Sequence, residues 1–195
     1  VSDGSLEDYY NFSQSQKSQD QTEVTFFAVG DIMLSRNVAG QMAKNQNDSF
    51  WPFRALEDEL HSTDFNFGNL ESPFSGRDDF NPSGSLVFNA PTWSLPGLVQ
   101  YNFKVLNLAN NHAFDQGLEA LLYTKKLLTE NGLTGLGVVA NLDEAFRGQV
   151  YSVKGVRVGF IGASYASEND GGASRNQNVA RIEDTEKLKN SIADL

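Results

Sequence analysis

An α/β fold, with a mixed β-sheet flanked by helices, is predicted by three features of the sequence. Strand-like apolar runs alternate with helix-like ones, each of the first three strands runs into a polar cluster, and a later pair of β-branched runs flanks a Lys-Gly turn. The first strand is Val24 to Val29, β-branched and aromatic, leading straight into Gly30-Asp31. Asp64-Phe65-Asn66-Phe67 is the second, ending at Gly68-Asn69-Leu70-Glu71. Lys104 to Ala109 is the third, ending at Asn110-Asn111-His112.

Helices fill the intervals. Arg36 to Lys44 and Pro52 to His61 read as helices, the second carrying Phe53, Leu56 and Leu60 at helical spacing, with Pro52 suited to a first turn. Gly117 to Asn131 is the clearest, with Leu118, Leu121, Leu122 and Leu128 on one side and Gly132 as its stop. Gln149 to Val153 and Val156 to Ile161 flank Lys154-Gly155 as a hairpin, which makes the sheet mixed. Residues 167 to 179 form a polar loop before an amphipathic helix from about Ile182, with Leu188 and Ile192 on its apolar side. A further strand is expected after that helix, so the chain reads as stopping within a structural unit.

Composition narrows the functional classes. The chain has 195 residues, enough for one domain, here placed at 23–195 behind an arm over 1–22 rich in Ser, Gln, Asp and Asn. Fifteen basic against 25 acidic residues leave a formal charge of −10, which argues against a broad grip on nucleic acid or anionic lipid. The absence of cysteine removes disulfides, thiolate nucleophiles and Cys-type zinc sites. No apolar run approaches the roughly 20 residues that span a bilayer.

In open α/β sheets ligands bind beyond the carboxyl ends of the strands, where all three polar clusters fall. Together they offer Asp31, Asn69, Glu71, Asn110, Asn111, His112 and Asp115, a set of carboxylate, amide and imidazole donors suited to Mn, Fe, Zn or Mg. Each residue also has a plainer reading. Asp31 could cap the following helix, Glu71 could be solvated before Pro73, and Asp115 could cap the helix after an Asn-rich turn. Asn110-Asn111-His112 is the least ordinary segment, because asparagine is a poor strand former while an imidazole titrates near neutral pH and can pass a proton. His61, near the end of a predicted helix, reads as structural.

Gly-Asp-Ile-Met-Leu at 30–34, Gly-Asn-Leu-Glu-Ser-Pro at 68–73 and Leu-Ala-Asn-Asn-His-Ala-Phe-Asp-Gln-Gly at 108–117 resemble the poly-gamma-glutamate capsule synthesis family, a branch of the calcineurin-like metallophosphoesterases. The resemblance covers about residues 24 to 195. It implies a metallophosphoesterase-like fold, present here as a partial four-layer sandwich, and a divalent metal. It also implies roles: Asp31 as a first-site ligand, Asn69 or Glu71 at the bridging position, Asn111 as a second-site ligand, and His112, with Asp115, as the acid. The implied partners are an anionic polymer or phosphoester substrate, membrane capsule-synthesis proteins or a missing C-terminal segment, and no nucleic acid. Together with the polar arm it implies an exported, cell-surface protein whose signal or anchor has been removed.

Three departures from the superfamily pattern stand out. Met33 occupies the position where a histidine is usual, Asn69 the position where an aspartate is usual, and the later His-Trp-Gly type segment is absent. These departures leave room for a non-catalytic surface module that binds a metal ion or an anion.

Overall fold

The computed structural model describes residues 23–80, 84–165 and 178–195. The arm predicted over 1–22 and nearly all of the polar loop predicted over 167–179 lie outside the described residues. Four strands, β1 (Phe26–Ile32), β2 (Phe65–Leu70), β3 (Phe103–Asn107) and β4 (Thr134–Leu136), form a parallel sheet in that spatial order. Because spatial order equals chain order, each connection crosses to the neighbouring strand and carries helix with it. Helices α1 (Arg36–Lys44) and α2 (Glu57–His61) lie between β1 and β2, α3 (Leu95–Gln100) between β2 and β3, and α4 (Gly117–Glu130) between β3 and β4. A short α5 (Leu142–Ala145), strands β5 (Gln149–Val153) and β6 (Val156–Phe160), and α6 (Thr185–Ala193) complete the described chain.

The two faces of β2 show how the layers are held. Alternate residues of a strand point to opposite faces, and Phe65 and Phe67 face the β5–β6 hairpin. The Phe65 ring lies 4.8 Å from Tyr151 and 5.9 Å from Phe160, and Phe67 lies 5.6 Å from Phe160. Asn66, buried between them in sequence, donates its amide hydrogens to the carbonyls of Leu60 and Tyr101 at 2.8 and 2.7 Å. A buried polar group is tolerated only when paired, and here the pairing fastens the ends of α2 and α3 to the central strand.

The fold is the predicted α/β class, and the antiparallel hairpin is present. It forms its own two-stranded ladder, however, beside a wholly parallel four-stranded sheet. The hairpin packs on the sheet through the aromatic contacts above and joins no edge of it. Its turn uses Lys154 at φ 50° and Gly155 at φ 81°, the paired positive φ values of a two-residue hairpin loop that matches strand twist.

Several elements differ from expectation. The helix predicted over Pro52 to His61 is a 3-10 turn at Arg54–Leu56 followed by α2, because Leu56 at φ −119°, ψ 18° breaks the winding; the tighter turn leaves Leu56 exposed while Phe53 and Leu60 are buried. On α4 the buried stripe is Ala120, Leu121, Thr124 and Leu128; Leu118 is exposed, as it lies roughly 60° round the helix from Leu121. Thr124, which lies outside the expected leucine stripe, is buried there, its hydroxyl accepting the Phe74 N–H at 2.8 Å and donating to the Phe74 carbonyl at 3.0 Å. On α6, Leu188 packs against the small cluster around Phe146 and Ile192 is exposed. Strand β4 is three residues long, Thr-Gly-Leu, too short to show a period in sequence.

The hairpin turn is also tied to the start of β2. Lys154 Nζ lies 2.7 Å from Asp64 Oδ1, and Thr25 N–H donates to Asp64 Oδ2 at 2.9 Å. The Lys154 ammonium, then the Thr25 amide, hold the Asp64 carboxyl below its ordinary value of 3.8. A depressed carboxyl contributes stability that is present above the unfolded value and lost as pH falls through the folded one. Asp64→Asn is therefore expected to flatten the fall of melting temperature between about pH 4 and pH 2 relative to wild type; identical acid profiles would show that the tie carries no stability.

Candidate functional site

Strand register assembles the site. Asp31 pairs across to Asn69, and Asn69 to Asn107, so one carboxylate and two amides form a row across the ends of β1, β2 and β3. A register irregularity in β1 between Ala28 and Asp31 precedes this row. Gly68 lets the strands close there, since a Cβ would sit 2.6 Å from Ile32 Cδ1 and 2.8 Å from Val29 Cγ2.

The row is joined by side-chain hydrogen bonds. Asn69 donates to Asp31 Oδ1 at 2.7 Å, and its Oδ1 accepts from Asn107 at 2.9 Å and from Asn110 at 3.1 Å. Asn110 is buried; it also donates to the Leu70 carbonyl at 2.9 Å, and its Oδ1 accepts the His112 backbone N–H at 3.0 Å. The chain of bonds thus runs from Asp31 through two amides to the backbone of His112. It fixes the turn after β3 in the way that Asn side chains fix turns generally.

His112 and Asp115 form a dyad. The imidazole Nδ1 is 2.7 Å from Asp115 Oδ2, while Nε2 faces Glu71 with Oε1 at 3.8 Å. Asp115 is 4% exposed at its side chain, and its Oδ2 also accepts the Phe88 N–H at 2.6 Å. Burial raises the Asp115 carboxyl, against the lowering pull of the Phe88 N–H and His112. The Phe88 ring stacks on the imidazole with centroids 3.8 Å apart and planes 19° from parallel. A carboxylate on one ring nitrogen leaves the other directed at whatever occupies the space before Glu71.

Glu71 is raised above its ordinary 4.5, first by burial and then by the Asp31 carboxylate; His112 lowers it, Asp115 raises it and Arg36 lowers it. Asp31 and Glu71 therefore face one another as repelling anions. Neither caps a helix: the residue ahead of α1 is Ser35, and the one ahead of α4 is Gln116, so Asp115 is not a cap either.

The structure brings Asp31, Asn69, Glu71, His112 and Asp115 to one end of the sheet. Asn111 is exposed at the rim of the same turn, next to the buried Asn110. A divalent cation fits this donor set in kind, since the Asp31 carboxylate that helps raise Glu71 makes, with it, a well for positive charge, and oxygen donors suit Mg or Mn. It fits less well in number. Among the described residues no group of three or more His, Asp or Glu side chains is arranged to hold an ion, and Asn69 Oδ1 already accepts two N–H groups, which occupy both of its lone pairs. Of the two residues implied at the bridging position, Glu71 is the one with oxygens to offer.

Sequence reasoning missed Phe88, Asn107 and Arg36. Asn107 carried a signal, a polar residue inside an apolar strand. Phe88 carried none, because it sits in Ser-Leu-Val-Phe-Asn-Ala, far in sequence from any motif, and reaches His112 only through the fold. The Arg36 guanidinium lies over the Phe88 ring at 5.5 Å, and Arg36 itself has φ 53°.

The family described as bacterial capsule synthesis protein PGA_cap matches residues 25–194. The chain is 29% identical over 192 residues to the capsule biosynthesis protein CapA of Bacillus anthracis, covering 92% of this chain and 46% of that protein. It is 29% identical over 150 residues to the PGA biosynthesis protein CapA of Bacillus subtilis (strain 168), covering 76% and 39%. It is also 30% identical over 140 residues to the uncharacterized protein y4sH of Sinorhizobium fredii, covering 65% and 29%. The chain thus spans less than half the length of each of these relatives.

The electrostatics of Glu71 can be tested directly. A carboxyl raised by folding contributes stability below its unfolded value that is lost as pH rises through the folded one. Glu71→Gln, which keeps shape and removes the charge, is expected to melt higher than wild type at pH 7 and no higher below pH 4. A lower melting temperature at pH 7 would show that the ionised carboxylate is stabilised by partners and not held at a cost.

Proposed function

This chain belongs to the bacterial capsule synthesis protein family, and we propose that it acts at the cell surface in the biosynthesis of a poly-gamma-glutamate capsule or a related anionic polymer, as an exported, metal-dependent phosphoesterase-like hydrolase. Its part in capsule biosynthesis rests on the family and on the names of its relatives. No helix among the described residues is long and apolar enough to cross a membrane. The observation that supports the finer reading most is the buried Asp115 holding His112 Nδ1 at 2.7 Å, with Nε2 turned to the space before Glu71 and the strand-end row.

In this reading Asp115 keeps a proton on Nδ1 and orients the ring, and His112 gives the proton at Nε2 to the leaving oxygen as a phosphoester bond breaks. Asp31 and Glu71 would hold the cation with Asn111 at the rim, and Asn69 keeps Asp31 in place. When bound, a divalent cation supplies positive charge that activates water and neutralises phosphoryl oxygens. The substrate is a phosphoester or an anionic polymer, and membrane-bound capsule-synthesis proteins are the proposed partners. The negative overall charge speaks against nucleic acid.

A second reading follows from specific observations: Met33, Asn69 and the lack of a three-residue His, Asp or Glu cluster among the described residues favour a surface module that binds an ion or anion without turnover. Calorimetric titration of the metal-stripped protein with Mn²⁺, with phosphoester hydrolysis measured on the same samples, separates the two. The enzyme reading predicts binding abolished by Asp31→Ala, and turnover reduced on the order of 10²- to 10⁴-fold by His112→Ala with binding retained. Binding without turnover, in this chain and in the longest polypeptide the gene encodes, would leave the module; no binding in either would remove the metal from both readings.

A further inference from the structure

A short segment that belongs to none of the three strand-end clusters closes the site. Three consecutive backbone N–H groups run from it to three different elements: Phe88 N–H donates to Asp115 Oδ2 at 2.6 Å, Asn89 N–H to Ser35 Oγ at 3.1 Å, and Ala90 N–H to the Pro73 carbonyl at 2.8 Å. Ser35 precedes α1, Pro73 follows Glu71, and Asp115 follows the Asn-rich turn. The segment is therefore stitched across the ends of β1, β2 and β3 at once. Gln116 adds a fourth tie by donating from Nε2 to the Phe88 carbonyl at 2.8 Å.

We propose that Phe88 is the positioning residue of the His112–Asp115 dyad, setting the plane of the imidazole from its face while Asp115 sets its rotation from its edge. One carboxylate bond leaves a ring free to tilt about that bond. A flat aromatic surface 3.8 Å away and 19° from parallel removes the tilt. The same residue's N–H lands on the oxygen that holds Nδ1, so ring and backbone of Phe88 act on the two halves of the dyad together. Phe88 is 5% exposed, so the stack lies within the protein and does not depend on a surface side chain. Leucine in its place would keep apolar bulk and the N–H bond and would lose the flat face.

The inference about ring position stands on the geometry alone; its consequence for turnover rests on the hydrolase reading above. The test therefore has two arms. The protein has two histidines, His61 and His112, so the His112 ring-proton resonances can be assigned in histidine-labelled protein with a His61→Gln control. A ring stacked at this distance displaces them upfield. Phe88→Leu is expected to move them downfield, and Phe88→Tyr to return them to the wild-type position; if the leucine variant does not fold, Phe88→Met, closer in length and also without a ring, replaces it. In the second arm, kcat for phosphoester hydrolysis is expected to fall on the order of tenfold to a hundredfold in Phe88→Leu, with KM changed less than about twofold and kcat restored by tyrosine. Unmoved His112 resonances in a folded Phe88→Leu or Phe88→Met protein would overturn the proposal. Moved resonances with kcat unchanged in an active protein would uphold the stack and overturn the positioning, whereas moved resonances in a protein without hydrolysis would uphold the stack and count against the hydrolase reading only.

Discussion

The side-chain amide of Asn69 is where the three strand ends meet. It donates one N–H to Asp31 on one side, and its oxygen accepts from Asn107 and Asn110 on the other. A primary amide can donate to a carboxylate while its oxygen accepts from two further amides. Through Asn110 the same connection reaches the backbone of His112. The parallel register brings Asp31, Asn69 and Asn107 level, and the amide then converts that alignment into a shared polar structure.

This arrangement gives the departure at position 69 a physical content. The superfamily pattern places an aspartate there, which would accept but not donate, and would set a second negative charge against Asp31. Asparagine satisfies Asp31 without a cation. The remaining repulsion falls between Asp31 and Glu71, where burial adds to it. The site is thus hydrogen-bonded on its Asn69 side and left electrostatically open on its Glu71 side, next to the imidazole that Asp115 and Phe88 hold.

Most of the architecture was legible because it rests on local signals. The strand–helix alternation, the Lys154-Gly155 turn and the span of α1 are properties of short windows, and so were the three polar clusters at the strand ends. What was not legible depends on contacts distant in sequence. Leu56 and Leu118 sit at core spacing yet face outward, because one follows a 3-10 turn and the other sits to the side of the α4 stripe. Thr124 is buried on the strength of two bonds to Phe74, fifty residues away in sequence. Phe88 could not be found from its neighbours, since its place over His112 is created by hydrogen bonds from its segment to Ser35, Pro73 and Asp115.

Asn69 and Asp31 can be examined together in one double-mutant cycle. Urea unfolding of metal-free wild type, Asn69→Asp, Asp31→Asn and the double variant isolates the energy that passes between the two side chains. The account predicts that Asn69→Asp lowers stability, that the loss is recovered in the Asp31→Asn background, and that the coupling amounts to about 1 kcal/mol or more. A coupling indistinguishable from zero, with Asn69→Asp as stable as wild type, would contradict the claim that this amide holds the strand ends together.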